Sequence, residues 1–341
     1  MKLRALVADH RGSPVDAIAE PHPAGAALLV DDEAWVLADR APARALGGAL
    51  AWAVRRGATA LHVIAEDATG LLARRAEQLD LPVTIWFAVD RALLPAVVEP
   101  LSPPPPARAD HLALAPLIEQ AGAAVVVEHG VVFGEVRGLE VCRVVDEPTT
   151  GHVAEIGDAL LAPALLDADA LAERAARAPV GVMLEVGVGA NDREAFQLLH
   201  GDVPTLEALS GVVASVHAHR TPGAPHHPLN RLARERYLRW RIEQQPDLVG
   251  LAHVERAEPP VPRPNLRDPV PCVARGADAA GSPIALVCST GVDLDLIPYV
   301  ADVQRGDAGL VRVVLPTRDL VPLTQELAGL LRGPVELVAV D

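Results

Sequence analysis

Three short apolar runs decide the fold class of this chain: WVLAD (residues 35–39), LHVIA (61–65) and VTIWFAV (83–89). Each has the length of a buried strand, and the segments between them, ALGGALAWAVRRG and GLLARRAEQL, carry apolar residues at helical spacing. Strands that alternate with helices through short connections predict parallel pairing with right-handed crossovers. We therefore predict a βαβαβ unit in the amino-terminal part of the chain.

The same order of elements recurs at the carboxyl terminus. The runs IALVCS (284–289), LVRVVL (310–315) and VELVAV (335–340) are predicted strands separated by helical stretches. An offset of 250 residues places Leu37 at Val287, so the two parts match in the order and spacing of their elements. Because a three-stranded unit buries little surface by itself, we predict that the two units pack into one layered parallel-sheet domain.

The central part is predicted to be an α+β insertion. A helical segment, HLALAPLIEQAG, precedes the strands AVVVEH (124–129), VVFGEV (131–136) and LEVCRVV (139–145), and glycines between them predict an antiparallel meander. Proline-rich segments flank this part and are predicted linkers. The predicted organisation is an amino-terminal unit at 1–101, a linker at 102–107, the central domain at 108–256, a linker at 257–281 and the carboxy-terminal unit at 282–341.

Composition excludes several classes of protein. The chain has 30 basic and 45 acidic residues, a net charge of −15, which disfavours non-specific binding to nucleic acid or to an anionic membrane. Lys2 is the only lysine, and its place excludes the P-loop, protein-kinase and PLP chemistries that depend on one. The 3 cysteines form no CxxC pair. We therefore expect no PLP, haem or structural zinc.

The first residues, MKLRALVADHRG, are predicted to form a short strand and a turn. They lack the uninterrupted apolar stretch of a signal peptide. No apolar run in the chain approaches the roughly 18 residues that a membrane span needs. The sequence therefore predicts a cytoplasmic protein without a membrane segment and leaves its oligomeric state open.

Polar residues follow the strands of both outer units. Ligands of open parallel sheets bind outside the carboxyl ends of the strands, beside helix amino termini that favour anions. We predict that this edge binds a nucleotide or another phosphorylated small molecule, together with Mg²⁺ or Mn²⁺ held by Asp293 and Asp295. The alternative is that these residues only cap helices. The predicted ligand-binding residues are Asp39, Arg40, Arg44, Ser289, Thr290, Gly291, Thr317 and Arg318.

A second candidate site consists of Glu135, Glu140 and Glu185, which lie inside apolar strand-like runs. A carboxylate is costly to bury in such a run unless it is paired or binds a metal. The helix, the meander and the carboxylates on successive strands resemble the core of PD-(D/E)XK nucleases over residues 110 to 200. The resemblance implies metal-dependent cutting of DNA or RNA, by this chain or by active relatives of it.

The chain departs from that family because the lysine of the motif is missing. Arg143 stands one position too far along the strand and is predicted to face the other side of the sheet. The alternative interpretation is cross-strand ion pairing of Glu135 or Glu140 with Arg137 or Arg143. This alternative assigns the glutamates a structural role.

An arginine-rich helix is predicted at about 230–244, with Tyr237 and Trp240 among its arginines. Its local positive charge suits nucleic acid, or internal docking on the acidic remainder of the protein, and we favour docking. The leading hypothesis for the whole chain is a protein that binds, with or without turning over, a phosphorylated small molecule. The alternatives are a nuclease-like metal hydrolase and a non-catalytic scaffold or oligomer subunit.

Overall fold

The structure is a computed structural model that describes residues 2–146, 181–200, 203–221, 227–263, 265–306 and 309–341, with the backbone alone at 196–200. The chain forms two compact units. One combines Met1–Pro103 with Ala233–Asp341, and the other is Pro104–Leu232. The described residues form three sheets together with helices, which confirms the mixed α/β class. None of the helices described is both long and apolar enough to cross a bilayer.

The amino-terminal half of the discontinuous unit is a six-stranded sheet in the order β1 to β6. Its three middle strands β3, β4 and β5 pair in parallel, and the outer strands pair antiparallel. The elements are α1 (Lys2–Arg11), β1 (Glu20–His22), β2 (Gly25–Val30), β3 (Glu33–Ala38), α2 (Leu46–Arg55), β4 (Ala60–Ala65), α3 (Thr69–Ala76), β5 (Val83–Val89) and β6 (Ala92–Pro95).

The parallel strands of this sheet are mainly apolar because both faces of the sheet are covered over much of their length. Val36 and Val63 face a core that they share with α2 and α3. Trp35 and Ile64 point to the opposite face, where they pack against α1. The prediction of a strand for the first residues is wrong. Apolar residues at positions 3, 6 and 7 follow helical spacing, and all three are buried.

The central unit contains a four-stranded antiparallel sheet in the order β10-β9-β8-β7. Ile118, near the end of α5, contacts the face of this sheet that carries Gly134 and Cys142. Residues 147–180, within the stretch that resembles a nuclease core, lie outside the described residues. The elements are α4 (Ala109–Leu112), α5 (Ala115–Gln120), β7 (Ala124–Glu128), β8 (Val131–Val136), β9 (Leu139–Asp146), β10 (Val182–Val186), α6 (Ala190–His200) and α7 (Thr205–His219).

The carboxy-terminal half of the discontinuous unit is a five-stranded sheet in the order β11 to β15. Its last three strands pair in parallel, and the first two pair antiparallel. The elements are α8 (Arg234–Gln244), β11 (His253–Arg256), β12 (Cys272–Ala277), β13 (Pro283–Cys288), α9 (Leu296–Gly306), β14 (Leu310–Pro316), α10 (Pro322–Ala328) and β15 (Val335–Val340).

The two halves of this unit repeat one order of elements: a helix, two antiparallel strands, and then three parallel strands alternating with two helices. Strands β3 and β13 begin at residues 33 and 283, and β4 and β14 begin at 60 and 310, so both pairs are 250 residues apart. One apolar core contains residues of both sheets and of the helices α2, α3, α9 and α10. The helices of the two halves therefore pack against each other inside a single unit.

The boundary between the central unit and the carboxy-terminal part of the chain differs from the predicted one, which was residue 256. The central unit ends at Leu232, so α8 and β11 belong to the discontinuous unit and not to the central one. Strand β12 lies within the segment predicted as a linker and pairs with β13, with Cys272 opposite Cys288. Strand β12 was not predicted because a short strand with small residues beside prolines carries a weak sequence signal.

Candidate functional site

The carboxyl ends of β3 and β13 meet in the discontinuous unit. Arg44, in the connection from β3 to α2, places Nη2 3.2 Å from Asp293 Oδ2, in the connection from β13 to α9. Gly47, in the first turn of α2, lies against the backbone of the same connection, since a Cβ at this position would come within 2.0 Å of the Leu294 carbonyl oxygen. The amino-terminal ends of α2 and α9 therefore converge on one place.

Two carboxylates and two arginines occupy this junction. Asp293 accepts the backbone N–H of Asp295 at 3.0 Å, and Asp295 accepts Arg75 Nη1 at 3.3 Å. Burial raises the pKa of the Asp295 carboxyl to about 6, although Arg75 acts in the opposite direction. Asp293, as a neighbouring negative charge, raises it further. The junction therefore holds an acid that gains or loses a proton near neutral pH.

Asp293 and Asp295 do not fit a divalent-metal site in this arrangement. Each already carries an arginine as its counter-charge, Arg44 on Asp293 and Arg75 on Asp295. A divalent cation also needs more oxygen ligands than two carboxylates supply. Over the described part of the chain, no three His, Cys, Asp or Glu side chains group in a way that could hold a metal.

The predicted hydrogen-bond donors Ser289 and Thr290 are buried, with exposed fractions of 2% and 6%. The Ser289 backbone N–H donates to the Val314 carbonyl at 3.1 Å. The hydroxyl of Thr290 has no hydrogen-bond partner among the described residues. Gly291 adopts a φ of +80° and donates its N–H to Asp319 Oδ2 at 2.6 Å. The loop after β13 thus contains a buried Thr290 hydroxyl without a partner among the described residues, while the N–H of Gly291 is bonded to Asp319.

The remaining predicted residues divide into engaged and exposed side chains. Asp39 accepts Lys2 Nζ at 3.3 Å, and the same ammonium contacts Glu66 at 2.8 Å. Thr317 donates its hydroxyl to the carboxylate of Asp341. Arg40 and Arg318 are exposed, so their charges face solvent. Of the predicted set, the structure brings Arg44 and Asp293 into contact and places Asp295 beside them.

Sequence reasoning missed the arginines of α3. Arg75 donates to both Asp295 and Asp302, and Arg74 donates to Asp302, although both arginines are almost fully buried. Two consecutive arginines in an amphipathic helix could have indicated this buried pair, because at least one of the two side chains must lie near the apolar face of the helix. Their partners Asp295 and Asp302 lie 220 to 228 residues away in the chain, so the sequence alone does not identify these pairs.

The glutamates of the central unit share one face of its sheet. Glu135 lies opposite Glu140, and Glu185 lies opposite Arg143. The prediction that Arg143 faces the other side is wrong, because the register between β8 and β9 shifts at Gly134/Glu135. This bulge leaves one extra residue, Val141, between the paired positions and reverses the alternation after it.

Arginines neutralise the central carboxylate of this face. Arg143 donates Nε and Nη2 to the two oxygens of Glu140 at 2.8 and 2.9 Å, and Arg193 donates Nη1 to Glu140 at 2.9 Å. Arg193 also places Nε 3.2 Å from Glu185. Glu140 therefore pairs with Arg143 as one of the predicted combinations, but within strand β9 and not across strands as predicted. Arg137 instead donates to the backbone carbonyl of Arg220 at 2.7 Å.

The arginine-rich helix α8 docks inside its own unit. Leu238 and Ile242 pack against the second sheet, together with Cys272 and Leu286. Charged residues of the helix are also buried, and Arg239 places Nε 3.1 Å from Glu243. One side of this helix is therefore buried against the second sheet.

The comparisons with known proteins identify no relative. No protein-family model matches the chain, and neither a curated protein nor a solved structure is similar to it. The function must therefore be argued from the geometry alone.

Proposed function

We propose that the discontinuous unit binds a nucleotide or another phosphorylated small molecule where the amino-terminal ends of α2 and α9 converge. The observation that carries the proposal is the contact between Arg44 and Asp293, which joins the carboxyl ends of β3 and β13. In open parallel sheets this is where ligands bind, and helix amino termini favour negative charge.

The proposed contacts follow from the positions of the side chains. Arg40 and Arg44 are exposed at this edge and would bind the anionic group of the ligand. Ser289 and Thr290 would donate hydrogen bonds from the opposite loop. Asp295, with its pKa near 6, is the group that would exchange a proton if binding is followed by a reaction.

The proposal includes the architecture of the site. The two βαβαβ units form one layered domain built from two copies of the same arrangement, with the central unit inserted between them. A shared apolar core supports this organisation. We keep the cytoplasm as the proposed compartment. No metal is assigned to Asp293 and Asp295, because arginines already compensate their charges.

Isothermal titration calorimetry tests this proposal with inorganic phosphate, adenosine monophosphate, adenosine diphosphate and glucose 6-phosphate, each with and without Mg²⁺ or Mn²⁺. We expect binding that weakens at least tenfold in Arg40→Ala and in Arg44→Ala. Arg55→Ala is the matched control, because Arg55 is an exposed arginine at the opposite end of α2. No heat with any ligand, together with a mass that depends on concentration, would favour the scaffold alternative.

A second candidate function has one observation in its favour. The bulge at Val141 gathers Glu135, Glu140, Glu185 and Arg143 on one face of the central sheet, as a PD-(D/E)XK-like metal hydrolase requires of its carboxylates and its basic residue. The guanidinium groups on Glu140 would have to yield to a metal.

A cleavage assay with DNA and RNA in Mg²⁺ or Mn²⁺ tests this candidate. Cutting should disappear in Glu185→Gln and persist in Glu194→Gln, an exposed glutamate on α6. Absence of cutting in the wild-type protein under both metals would remove the candidate.

A further inference from the structure

Arg234 begins the arginine-rich helix and differs from the buried arginines that follow it. It is exposed, and no hydrogen bond or ion pair engages its guanidinium within the described part of the chain. The residue before it, Ala233, adopts a left-handed conformation with a φ of +42° and provides no side-chain cap. Among the residues that the structure describes, the arginine at the start of α8 therefore has no counter-charge.

The guanidinium of Arg234 lies against the loop that follows β13. Its Nη2 is 3.6 Å from the point that a Cβ on Gly291 would occupy. Gly291 is the third residue of the Ser289–Gly291 segment, which belongs to the same connection as Asp293 and Asp295. Any side chain longer than a methyl group at 291 would fill the space in front of the guanidinium.

The neighbouring residue Thr290 supplies an independent observation. Only 6% of Thr290 is exposed, and its hydroxyl oxygen has no hydrogen-bond partner among the described residues. A buried hydroxyl without a partner costs about 1–3 kcal/mol, so such a group calls for a physical explanation. An oxygen atom of a ligand would provide the missing hydrogen bond.

We propose that Arg234 and the Thr290 hydroxyl bind a phosphate group of the ligand together, which makes Arg234 an anion-binding residue of the site. This inference rests on the proposed function and adds to it a residue from a third element, α8. An arginine fork matches phosphate oxygens, and the hydroxyl donates to one of them.

The carboxylate of Asp319 limits which groups of the loop after β13 can bind the phosphate. It already takes the N–H of Gly291 at 2.6 Å, and it lies 3.8 Å from Arg318 Nε. The N–H of Gly291 is therefore not available for the contact that a glycine loop often gives to phosphate. Arg234 is the cationic group beside Gly291 in this loop, and we expect it to attract the anion.

The test is calorimetric titration of the full chain with adenosine monophosphate and with inorganic phosphate. Arg234→Gln should raise the dissociation constant at least tenfold, and Arg267→Gln should leave it unchanged. Arg267 is an exposed arginine of the same unit and makes no side-chain hydrogen bond among the described residues. Circular dichroism of both variants checks that they are folded.

Thr290→Val provides a second readout that a purely structural role would not give. It should weaken binding while raising the melting temperature of the protein without ligand, because it removes a buried hydroxyl that lacks a partner. A lower melting temperature with unchanged binding would overturn the role of Thr290.

The two proposals fail differently. If the wild-type protein binds none of the four ligands used to test the proposed function, that function is wrong and this inference is wrong with it. If Arg44→Ala loses binding but Arg234→Gln keeps the wild-type affinity, the inference alone is wrong.

Discussion

Arg75 in α3 donates Nε to Oδ2 of Asp302 in α9 at 2.7 Å, and this contact joins the two halves of the discontinuous unit. Arg74 donates to the other oxygen of the same carboxylate at 2.8 Å. Asp302 is 0% exposed, so one buried carboxylate holds two buried guanidinium groups. The helices that bear the candidate site are thereby fixed relative to each other.

Replacing Asp302 by Asn should destabilise the protein strongly. The change removes the buried carboxylate that both arginines share and leaves Arg75 with Asp295 as its remaining carboxylate, so the expected loss in the free energy of unfolding is about 3–5 kcal/mol. Urea denaturation measures it. The matched control is Asp80→Asn, where an exposed aspartate lies 3.6 Å from Arg332 and the loss should stay within about 0.5 kcal/mol. Equal losses in the two variants would contradict the role of Asp302.

Two consecutive glycines of α2 should respond to alanine in opposite directions. A Cβ at Gly47 would lie 2.0 Å from the Leu294 carbonyl oxygen, so Gly47→Ala must push α2 away from the connection after β13. We expect a loss of about 1–3 kcal/mol or more. At Gly48 the nearest atom is His22 Cε1 at 3.5 Å, and Gly48→Ala should stabilise the helix by about 0.5–1 kcal/mol. Thermal unfolding of both variants decides the matter, and destabilisation of equal size would argue against the close approach.

The raised pKa of Asp295 predicts a pH-dependent stability. Its pKa is about 6 in the folded protein against an ordinary 3.8, so the folded state binds the proton more tightly than the unfolded chain. The free energy of unfolding should therefore fall as the pH rises from about 4 to above 6, by at most about 3 kcal/mol from this group.

Comparison of wild type with Asp295→Asn isolates that effect. The variant cannot ionise at this position, so its stability relative to wild type should improve between pH 4.5 and pH 7.5. Asp278→Asn serves as the control, because hydrogen bonds from the Ser282 backbone hold the pKa of Asp278 below its usual range and its contribution is lost only at lower pH. If the relative stability of Asp295→Asn is the same at both pH values, the account of Asp295 is wrong.

The stability of the central unit should depend on the negative charge of Glu140. This carboxylate is 2% exposed and accepts hydrogen bonds from Arg143 and Arg193. Glu140→Gln leaves two guanidinium groups next to each other, and we expect a loss of about 3–5 kcal/mol in the free energy of unfolding. Glu194→Gln, at an exposed position of α6, should change it by no more than about 0.5 kcal/mol. Limited proteolysis of the central unit in each variant measures the difference, and equal resistance to the protease would speak against a buried ion-pair network.

The apolar runs allowed the strands β3, β4 and β5 to be predicted because buried parallel strands are apolar on both faces. Helix α1 was misread because its ten residues are short and Leu6 and Val7 also suit a strand, although the spacing from Leu3 indicates a helix. The strands β2 and β12 are short, contain glycine and alanine, and follow prolines closely, and for that reason they were not predicted.

Part of the candidate site could be predicted from the sequence. The position of Arg44 and Asp293 at strand ends follows from the general geometry of parallel sheets, and their contact at 3.2 Å does not. The bulge that turns Arg143 toward Glu140 depends on the pairing between strands, and the alternation of apolar and polar residues along one strand does not reveal it. The position of Arg234 beside Gly291 was not predicted, because the sequence favours docking of the whole helix and does not show which of its arginines stays exposed.

Hydrogen–deuterium exchange with and without adenosine monophosphate tests the central claim most directly, since it locates the ligand without relying on a substitution. The account predicts slower exchange at residues 39–47 and 289–296, the two connections that converge at the junction, and at the start of α8. Slower exchange confined to the central sheet, or no change anywhere in the chain, would contradict it.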